Sequence, residues 1–304
     1  MHHIAGFIKK YNWAFLAGLL VIHFIVKDRF GIISTVFYAA PLPLIIAFSC
    51  VCLYIDRGDK KLLTGLGIVT LALTVYWLAT SYKIQGDQNV PQKSLKVMLW
   101  NIGYPDNHPN SKLIHYINQT SADIVGIIEL GDMTNRAMEE YRSALQNYSI
   151  HSFGREMMIL TKGKIRSFHY QNISYHSKYN DIEIKLNEKI YHVIMSDIIS
   201  NPFASREKPI QTILDVPQSS ERVIIMGDFN TPYDSVFFDG YKRRLQNAFR
   251  RAGSGFSETW PYGIPLLQLD HIWTSPDLKP LRVTKHYDLM SDHALLVADF
   301  DTDK

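Results

Sequence analysis

The chain has 304 residues and a formal net charge of +3, a length that suits one large domain or two smaller ones. Residues 1–82 carry seven basic and three acidic residues among long apolar runs, whereas residues 83–304 carry 25 basic and 26 acidic residues. The near-neutral second part argues against tight, nonspecific binding along duplex nucleic acid, although it does not exclude a nuclease. Two cysteines, Cys50 and Cys52, provide no disulfide framework.

Three apolar stretches fill the first 82 residues, at roughly 12–26, 30–55 and 62–80. The second and third have the ~20 residues that a transmembrane helix needs, and the aromatic residues near several ends are typical of interfacial anchors. We therefore predict that residues 1–82 form a membrane segment with about three transmembrane helices. A cleaved signal peptide and a buried soluble helical hairpin are the alternatives. Only the short first stretch suits a signal peptide, and it lacks a clear small-residue cleavage site.

Basic residues around these stretches set the expected orientation. Lys9, Lys10 and the loop 57–61 lie on one side, whereas Lys27 and Arg29 lie on the other. The positive-inside rule weakly favours an inside N-terminus, so that with three spans the domain that follows lies outside the cytoplasm. Residues 83–94 are polar, contain glycine and proline, and are predicted to be the linker to a domain at 95–304.

The domain at 95–304 has more predicted strands than helices. Apolar runs predict strands near 95–101, 123–130, 157–161, 181–186, 190–197, 223–226, 266–275 and 294–300. Amphipathic patterns predict helices at 111–119, 134–146 and 205–216. The strands come two at a time with helices between them, which favours a sandwich of two sheets with helices outside.

The run from Val223 to Asn230 is the centre of the predicted site. Four apolar residues predict a buried strand, Gly227 ends it, and Asp228 and Asn230 follow. Residues two apart on an extended chain project to the same side, so a carboxylate and an amide leave the strand end together. These groups suit a hard cation and a phosphate. An Asx turn that ends a strand explains this tetrapeptide alone equally well.

Four further strand ends carry acidic or amide residues: Asn101, Glu129, Asp270, and Asp292 followed by His293. A glutamate at the end of a buried strand is costly unless it is charge-paired or metal-bound. Each residue alone has a structural explanation, such as a cap, a turn or a buried ion pair. Their recurrence at successive strand ends favours one shared active site.

In order, the segments 99–102 (LWNI), 123–129 (DIVGIIE), 227–230 (GDFN), 269–272 (LDHI) and 291–293 (SDH) resemble the motifs of the endonuclease/exonuclease/phosphatase superfamily. Thr259-Trp260-Pro261 resembles the bacterial branch with an N-terminal membrane segment. The resemblance implies a four-layered α-β-β-α sandwich of two mixed sheets and one or two Mg²⁺ or Mn²⁺ ions. It implies a phosphodiesterase or phosphatase in the bacterial inner membrane, with a nucleic acid, a phospholipid or a small phosphodiester as substrate and the lipid bilayer as a partner.

The resemblance also assigns metal ligands. Glu129 and Asp292 would be the main carboxylates on the ion, and Asn101 would complete its shell or donate to the phosphate. The ion polarises the phosphoryl oxygen and neutralises developing charge.

The remaining roles follow the same resemblance. His293 would serve as base for the water or as donor to the phosphate, and Asp270 would orient it, as a carboxylate does for a catalytic imidazole. Asp228 would position or activate the water, and Asn230 would donate to phosphate oxygens. His271 alternates to the other face and is predicted to be structural.

One position departs from the superfamily pattern. Many members have a histidine in the strand that here runs from His192 to Ile198, and the aligned residue is Asp197. An aspartate donates only if neighbouring carboxylates raise its pKa, or it becomes a substrate or metal contact. The departure leaves a second interpretation open, a catalytically inactive relative that binds a phosphorylated ligand or scaffolds a membrane complex.

Overall fold

Two six-stranded sheets pack face to face in the C-terminal two thirds of the chain, behind a bundle of N-terminal helices. The computed structural model describes residues 2–302 except 57, 85–89, 92, 104–109, 132, 154–155, 175 and 218–220, with side chains described from residue 11 onwards.

The strands in chain order are β1 (Tyr82–Lys83), β2 (Leu95–Asn101), β3 (Ile124–Ile128), β4 (Ser149–Phe153), β5 (Met157–Thr161), β6 (Lys164–Ser174), β7 (Ser177–Leu186), β8 (Lys189–Asp197), β9 (Val223–Asp228), β10 (Gln246–Asn247), β11 (Gly255–Phe256), β12 (Asp270–Thr274), β13 (Lys279–His286) and β14 (Leu295–Asp301). The helices are α1 (His2–Val21), α2 (Gly31–Ala39), α3 (Leu42–Ile55), α4 (Lys60–Ser81), α5 (Asn110–Thr120), α6 (Asn135–Ala144), α7 (Glu207–Asp215), α8 (Asp239–Arg244) and α9 (Ala248–Ala252).

Both large sheets are mixed. One has the order β13-β14-β2-β3-β5-β4 and the other β10-β12-β9-β8-β7-β6. The pairs β2–β3 and β8–β9 are parallel, and the other pairs are antiparallel. The central strands β2, β3 and β9 end in Asn101, Ile128 and Asp228, so the predicted site residues lie at strand ends of both sheets.

Three apolar layers hold the sandwich together. Between the sheets, side chains such as Val97, Ile182 and Met226 are fully buried. Helices α5 and α6 cover the outer face of the first sheet, and α7 and α8 cover that of the second. The predicted four-layered arrangement of two mixed sheets is confirmed, because strands buried on both faces require helices outside.

By length and composition, the described N-terminal helices give fewer candidate spans than the three predicted. Within the part of the chain that the structure describes, one helix, α4, is long and apolar enough to cross a membrane. Helices α2 and α3 pass the same test only as a pair, and they are bent by 73°. Pro41 and Pro43 explain the bend, because proline lacks the N–H that a continuous helix would use and is favoured at a helix start. The stretch Tyr11–Val26 is too short to pass. Three transmembrane helices therefore stay a prediction.

The helical segment is bonded directly to the sandwich. Buried Asp28 accepts hydrogen bonds from Tyr38 Oη (2.9 Å), Ser235 Oγ (2.5 Å) and Val236 N (3.1 Å). Thr35 Oγ1 donates to the Pro202 carbonyl (3.2 Å). The loops that leave β8 and β9 at their carboxyl ends therefore both contact the N-terminal helices.

The predicted linker at 83–94 lies only partly within the described residues. Its first residue belongs to β1, in which Tyr82 pairs with Phe256 and Lys83 with Gly255. Residues 85–89 and 92 lie outside the described residues. The predicted linker therefore begins in a strand, β1, that is hydrogen-bonded to β11.

Candidate active site

The end of β9 is the centre of the site. Strand β9 lies between β12 and β8, and Asp228 is paired in register with Asp270 on one side and Asp197 on the other. Gly227 allows this spacing, because a Cβ atom there would lie 2.0 Å from the Ser196 carbonyl oxygen. Three carboxyl groups thus lie side by side at one edge of the second sheet.

Asp270 holds the histidine. Its Oδ2 lies 2.9 Å from His293 Nδ1, so that His293 Nε2 faces Asp228 Oδ2 and Asp292 Oδ1, each 3.9 Å away. The backbone of this turn is fixed by Ser291, whose Oγ donates to the Asn101 carbonyl (2.7 Å) and accepts from His293 N (3.0 Å). The arrangement of a buried carboxylate on Nδ1 with Nε2 left toward the cleft is the geometry of an oriented catalytic imidazole.

Two asparagines hold Asp228. Asn101 Nδ2 donates to Asp228 Oδ2 (2.8 Å), which connects the two sheets, and Asn230 N donates to Asp228 Oδ1 (2.7 Å). Asn230 Nδ2 donates to the Ile198 carbonyl (2.8 Å). In this structure each of the two side-chain amides thus uses one N–H within the protein, and the predicted donation to phosphate stays a prediction.

Glu129 follows β3 with a left-handed backbone, φ +55°, and Asn230 has φ +47°. Such conformations are uncommon for residues other than glycine and are concentrated at functional sites. Burial and the Asp197 carboxylate raise the pKa of Glu129 to about 7, against a lowering hydrogen bond from Asn101. Glu129 therefore lies close to Asn101, another residue predicted for the site, and to the Asp197 carboxylate.

Asp292 is held by a tryptophan for which the sequence prediction gave no role. Trp260 Nε1 donates to Asp292 Oδ2 (2.7 Å), and Tyr262 N donates to the Asp292 carbonyl (2.9 Å). Thr259 Oγ1 accepts from Leu269 N and Asp270 N, both at 3.1 Å. The segment 259–262 thus connects Asp270 and Asp292. The only sequence feature that points to this segment is the motif Thr259-Trp260-Pro261, which precedes the strand-end segment 269–272.

Asp197 has a partner that the sequence prediction missed. Lys178 Nζ lies 3.1 Å from Asp197 Oδ2 and also contacts Glu156. Burial raises the pKa of Asp197 to about 6, and Lys178 opposes that rise. The predicted strand began at residue 181, whereas β7 begins at Ser177. Lys178 lies in the four residues, 177–180, by which β7 extends beyond the prediction. Extending the alternation toward the N-terminus would have placed Lys178 opposite Asp197.

The site carries more acid than base. Five carboxyl groups meet here (Glu129, Asp197, Asp228, Asp270 and Asp292), against the His293 imidazole and the Lys178 ammonium. Burial and Asp270 raise the pKa of Asp228 to about 7. Burial alone would lower the pKa of His293, but the carboxylates of Asp270, Asp228 and Asp292 raise it to about 10.

The acidic groups suit a divalent cation. Among the described residues, Asp228, Asp270 and His293 offer ligand atoms within 4.8 Å of one another. The buried Asp270 Oδ1 has no hydrogen-bond partner there. A buried, unpartnered carboxylate oxygen among acids with raised pKa values fits a site completed by a hard cation.

All eight residues predicted for the site lie together at this end of the sandwich, and their individual roles stay predictions. His271 lies elsewhere, as expected. It is fully buried, its Nε2 lies 2.9 Å from the Thr231 carbonyl, and burial lowers its pKa to about 4. It is a neutral packing residue.

The comparison with known families agrees with this geometry. The model of the Endonuclease/Exonuclease/phosphatase family matches residues 98–293, which is more than half of the chain. The chain belongs to the endonuclease/exonuclease/phosphatase family. Members of this family are phosphoesterases, and the family typically uses a divalent metal. The comparison with curated proteins found no match.

Solved structures with the same fold are distant in sequence. A family protein from Leptotrichia buccalis has 18% identity and a TM-score of 0.54 over 68% of this chain and 99% of its own. Truncated TDP2 from Caenorhabditis elegans has 18% identity and a TM-score of 0.55 over 70% and 99%. TDP2 from D. rerio, complexed with single-strand DNA product, has 14% identity and a TM-score of 0.54 over 69% and 100%. At these identities, the likeness shows the fold of the endonuclease/exonuclease/phosphatase family.

Proposed function

We propose that this chain is a membrane-anchored, divalent-metal-dependent hydrolase of phosphoesters, with phosphodiesters as the main substrate class. One observation carries the proposal, the Asp270–His293 pair with Nε2 directed at Asp228 and Asp292 beside an excess of buried acid. If the chain had the family fold but lacked the Asp270–His293 pair, the structure would support binding of a phosphoester but not its hydrolysis.

Glu129, Asp292 and Asn101 would hold the ion, Mg²⁺ or Mn²⁺. Within the Asp228–Asp270–His293 group, His293 Nδ1 is already bonded to Asp270, and Asp228 Oδ2 already accepts from Asn101. Burial and the Asp197 carboxylate raise the pKa of Glu129 to about 7, so a cation beside Glu129 would stabilise its charged form. When bound, the ion polarises the phosphoryl oxygen and neutralises negative charge that develops there.

The chain's own residues would do the following. Asp270 fixes the ring of His293, and the surrounding carboxylates keep the imidazole protonated at neutral pH. His293 Nε2–H is then a donor to a phosphoryl oxygen. Asp228 faces the same space and has a pKa raised to about 7, which suits the acceptance of a proton from water. Asn101 and Asn230 keep the Asp228 carboxylate in place through their bonds at 2.8 and 2.7 Å.

Two substrate sources are consistent with this site. The D. rerio relative is described with single-strand DNA product, which supports nucleic acid phosphodiesters. Contacts of both active-site loops with the N-terminal helices support substrates at a membrane surface, such as phospholipid head groups. The second source depends on the membrane anchoring of α4 and its neighbours.

A hydrolysis assay on the full-length protein tests the activity. We expect release of p-nitrophenol from bis(p-nitrophenyl) phosphate with Mg²⁺, loss of release with chelator, and recovery with added Mg²⁺. His293→Ala should abolish release, and His286→Ala, an exposed histidine on β13, should leave it unchanged. Equal activity of the His293 and His286 variants would rule out the proposal. Hydrolysis of single-strand DNA compared with hydrolysis of phospholipid vesicles then shows which of the two is the substrate.

The inactive-relative interpretation gives a different result in the same preparation. Calorimetry would detect binding of Mg²⁺ or of a phosphate ester, while DNA, RNA, phospholipid and sugar phosphate all remain uncleaved. Binding without turnover on the whole substrate panel would favour that interpretation over hydrolysis.

We further propose that the sandwich domain lies outside the cytoplasm of a bacterial cell, behind a multi-pass inner-membrane segment. The distribution of Lys9, Lys10, Lys60 and Lys61 supports this orientation. A C-terminal alkaline phosphatase fusion should be active and a C-terminal fluorescent fusion dark. The reverse pattern would place the domain in the cytoplasm.

A further inference from the structure

The backbone around Trp260 is bonded to two separate segments of the sandwich. Trp260 N donates to the Leu267 carbonyl (3.0 Å), and Leu267 N donates to the Trp260 carbonyl (3.1 Å). The preceding residue, Thr259, accepts through its carbonyl from Ala294 N (2.9 Å). These bonds fix the place from which the Trp260 ring reaches the Asp292 carboxylate.

The two carboxylate oxygens of Asp292 have different surroundings. Oδ2 accepts the hydrogen bond from Trp260 Nε1 at 2.7 Å, and Oδ1 lies 3.9 Å from His293 Nε2. Within the described part of the chain, Trp260 is the only side chain that donates a hydrogen bond to this carboxylate, and Oδ1 receives none. The Asp292 side chain is 33% exposed, so an ion from solvent can reach it.

An indole holds a carboxylate without cancelling its charge. Its N–H is a donor that carries no charge and has no acceptor lone pair. Asp197, by contrast, is paired with the Lys178 ammonium at 3.1 Å, which offsets its negative charge. Asp292 is therefore oriented by Trp260 and keeps its full negative charge for a cation.

We propose that Trp260 is a positioning residue for the divalent ion and that it favours Mg²⁺ over Ca²⁺. The inference rests on the proposed function, which assigns Asp292 as a metal ligand. With Oδ2 held by the indole, Asp292 offers the single oxygen Oδ1, which suits the compact octahedral shell of Mg²⁺. Ca²⁺ is larger and readily takes both oxygens of one carboxylate. Loss of the indole N–H would free Asp292 to bind with both oxygens.

Calorimetric titration with Mg²⁺ and, separately, with Ca²⁺ tests this role without a substrate, on the full-length protein in a neutral maltoside detergent. Trp260→Phe keeps an aromatic ring but removes the N–H. We expect it to weaken Mg²⁺ binding by about 10–100-fold and Ca²⁺ binding by less, so that the preference for Mg²⁺ falls. Trp13→Phe alters an exposed indole on α1 and is the matched control, which should bind both ions like the wild type.

A second replacement separates the loss of the hydrogen bond from a change in packing. The benzothiophene analogue of tryptophan, incorporated at position 260, keeps the shape of the ring and has sulfur in place of the N–H. We expect this protein to have the wild-type Tm in chelator and a reduced preference for Mg²⁺. If Trp260→Phe fails to fold, the benzothiophene protein alone decides the outcome.

The proposal is overturned if the benzothiophene protein keeps the wild-type ratio of Mg²⁺ to Ca²⁺ affinity. An equal loss for both ions would also overturn it, because a loosened site weakens every cation alike. So would a wild-type protein that binds neither ion. Hydrolysis by the wild type with an unchanged ratio would leave the proposed function intact, whereas a reduced ratio without any hydrolysis would support the ion site and count against that function.

Discussion

At the scale of single residues, the bond between Asp270 Oδ2 and His293 Nδ1 decides which nitrogen faces the substrate. Asp270→Asn keeps the size of the side chain but removes the charge that orients the ring. We expect it to lower kcat by about 10²–10⁴-fold with a smaller change in KM. Steady-state kinetics on a soluble phosphodiester measure this. A kcat within a few-fold of the wild type would contradict the assigned role.

The Lys178–Asp197 pair makes a second prediction. Both side chains are 9% exposed, so removal of one charge leaves the other buried without compensation. Lys178→Met should lower the free energy of unfolding by about 3 kcal/mol. The double variant Lys178→Met with Asp197→Asn should recover much of that loss, because no buried charge then remains unpaired. Glu156, the other partner of Lys178, is 39% exposed and stays solvated. Urea unfolding of the wild type, both single variants and the double variant measures the cycle, and a loss in the double variant equal to the sum of the two single losses would show that the two residues are not coupled.

The raised pKa values of Glu129 and Asp228 predict how stability depends on pH. Both are about 7 in the folded protein without metal, above the values of ~4 expected for the unfolded chain. Their contribution to stability is therefore full below about pH 4 and falls as pH rises to about 7. His293, with a pKa of about 10, changes in the same direction at higher pH.

A cation held by Glu129 replaces the proton on that carboxyl group, and its charge disfavours protonation of nearby Asp228. Mg²⁺ should therefore raise Tm more at about pH 7.5 than at about pH 5. Differential scanning with Mg²⁺ and with chelator at both pH values checks this. Glu129→Gln should reduce the difference, because one titrating ligand is lost. An equal or larger effect of Mg²⁺ at the lower pH would contradict the assignment of Glu129 to the ion.

At the scale of elements, the approach of β8 to β9 positions Asp197 beside Asp228 and depends on Gly227. A Cβ atom there would overlap the Ser196 backbone, so Gly227→Ala must push the strands apart. We expect loss of hydrolysis and a lower Tm, measured on the same preparation. Gly67→Ala in α4 is the matched control, since nothing lies within 4 Å and alanine favours a helix by ~1 kcal/mol. Similar behaviour of the two variants would show that the close approach is unimportant.

Strands buried on both faces could be predicted well from sequence. The predictions for 95–101 and 157–161 have the bounds of β2 and β5, because nearly every residue in them is apolar and buried. Strands β6 and β13 were missed. Each is the edge strand of its sheet with many exposed polar residues, so apolar alternation is weak.

The site residues at strand ends could be predicted from sequence, but the residues that hold them in place could not. Asp228, Asp270 and His293 follow apolar runs, so their positions are visible from local pattern. Lys178 and Trp260 act through contacts with residues 19 and 32 positions away, and no local periodicity reports such pairing. The 73° size of the bend between α2 and α3 could likewise not be predicted, because two prolines in an apolar run are compatible with either a kink or a new helix start.

At the scale of the whole molecule, Asp28 links the helices to the loop after Asn230. Asp28→Ala removes the acceptor for Tyr38, Ser235 and Val236 at once. We expect a loss of about 1–3 kcal/mol in stability and faster hydrogen exchange at 231–236. Asp239→Ala, an exposed acid on α8, is the control and should exchange like the wild type. Unchanged protection of the loop in Asp28→Ala would show that the anchor is dispensable.

The paired strand β1 has a practical consequence for anyone who would prepare the sandwich without its helices. A fragment that starts after residue 83 loses the partner of Gly255–Phe256, the Trp77 ring stacked 5.0 Å from Phe256, and the Thr80 carbonyl that holds Arg250. The Phe256 ring would become exposed beside β11, whose edge would have lost its hydrogen-bonding partner. Exposed apolar surface next to an unpaired strand edge favours self-association. Low yield or aggregation of such a fragment would then reflect the loss of these contacts between the helices and the sandwich. Catalytic activity is therefore best measured on the intact chain.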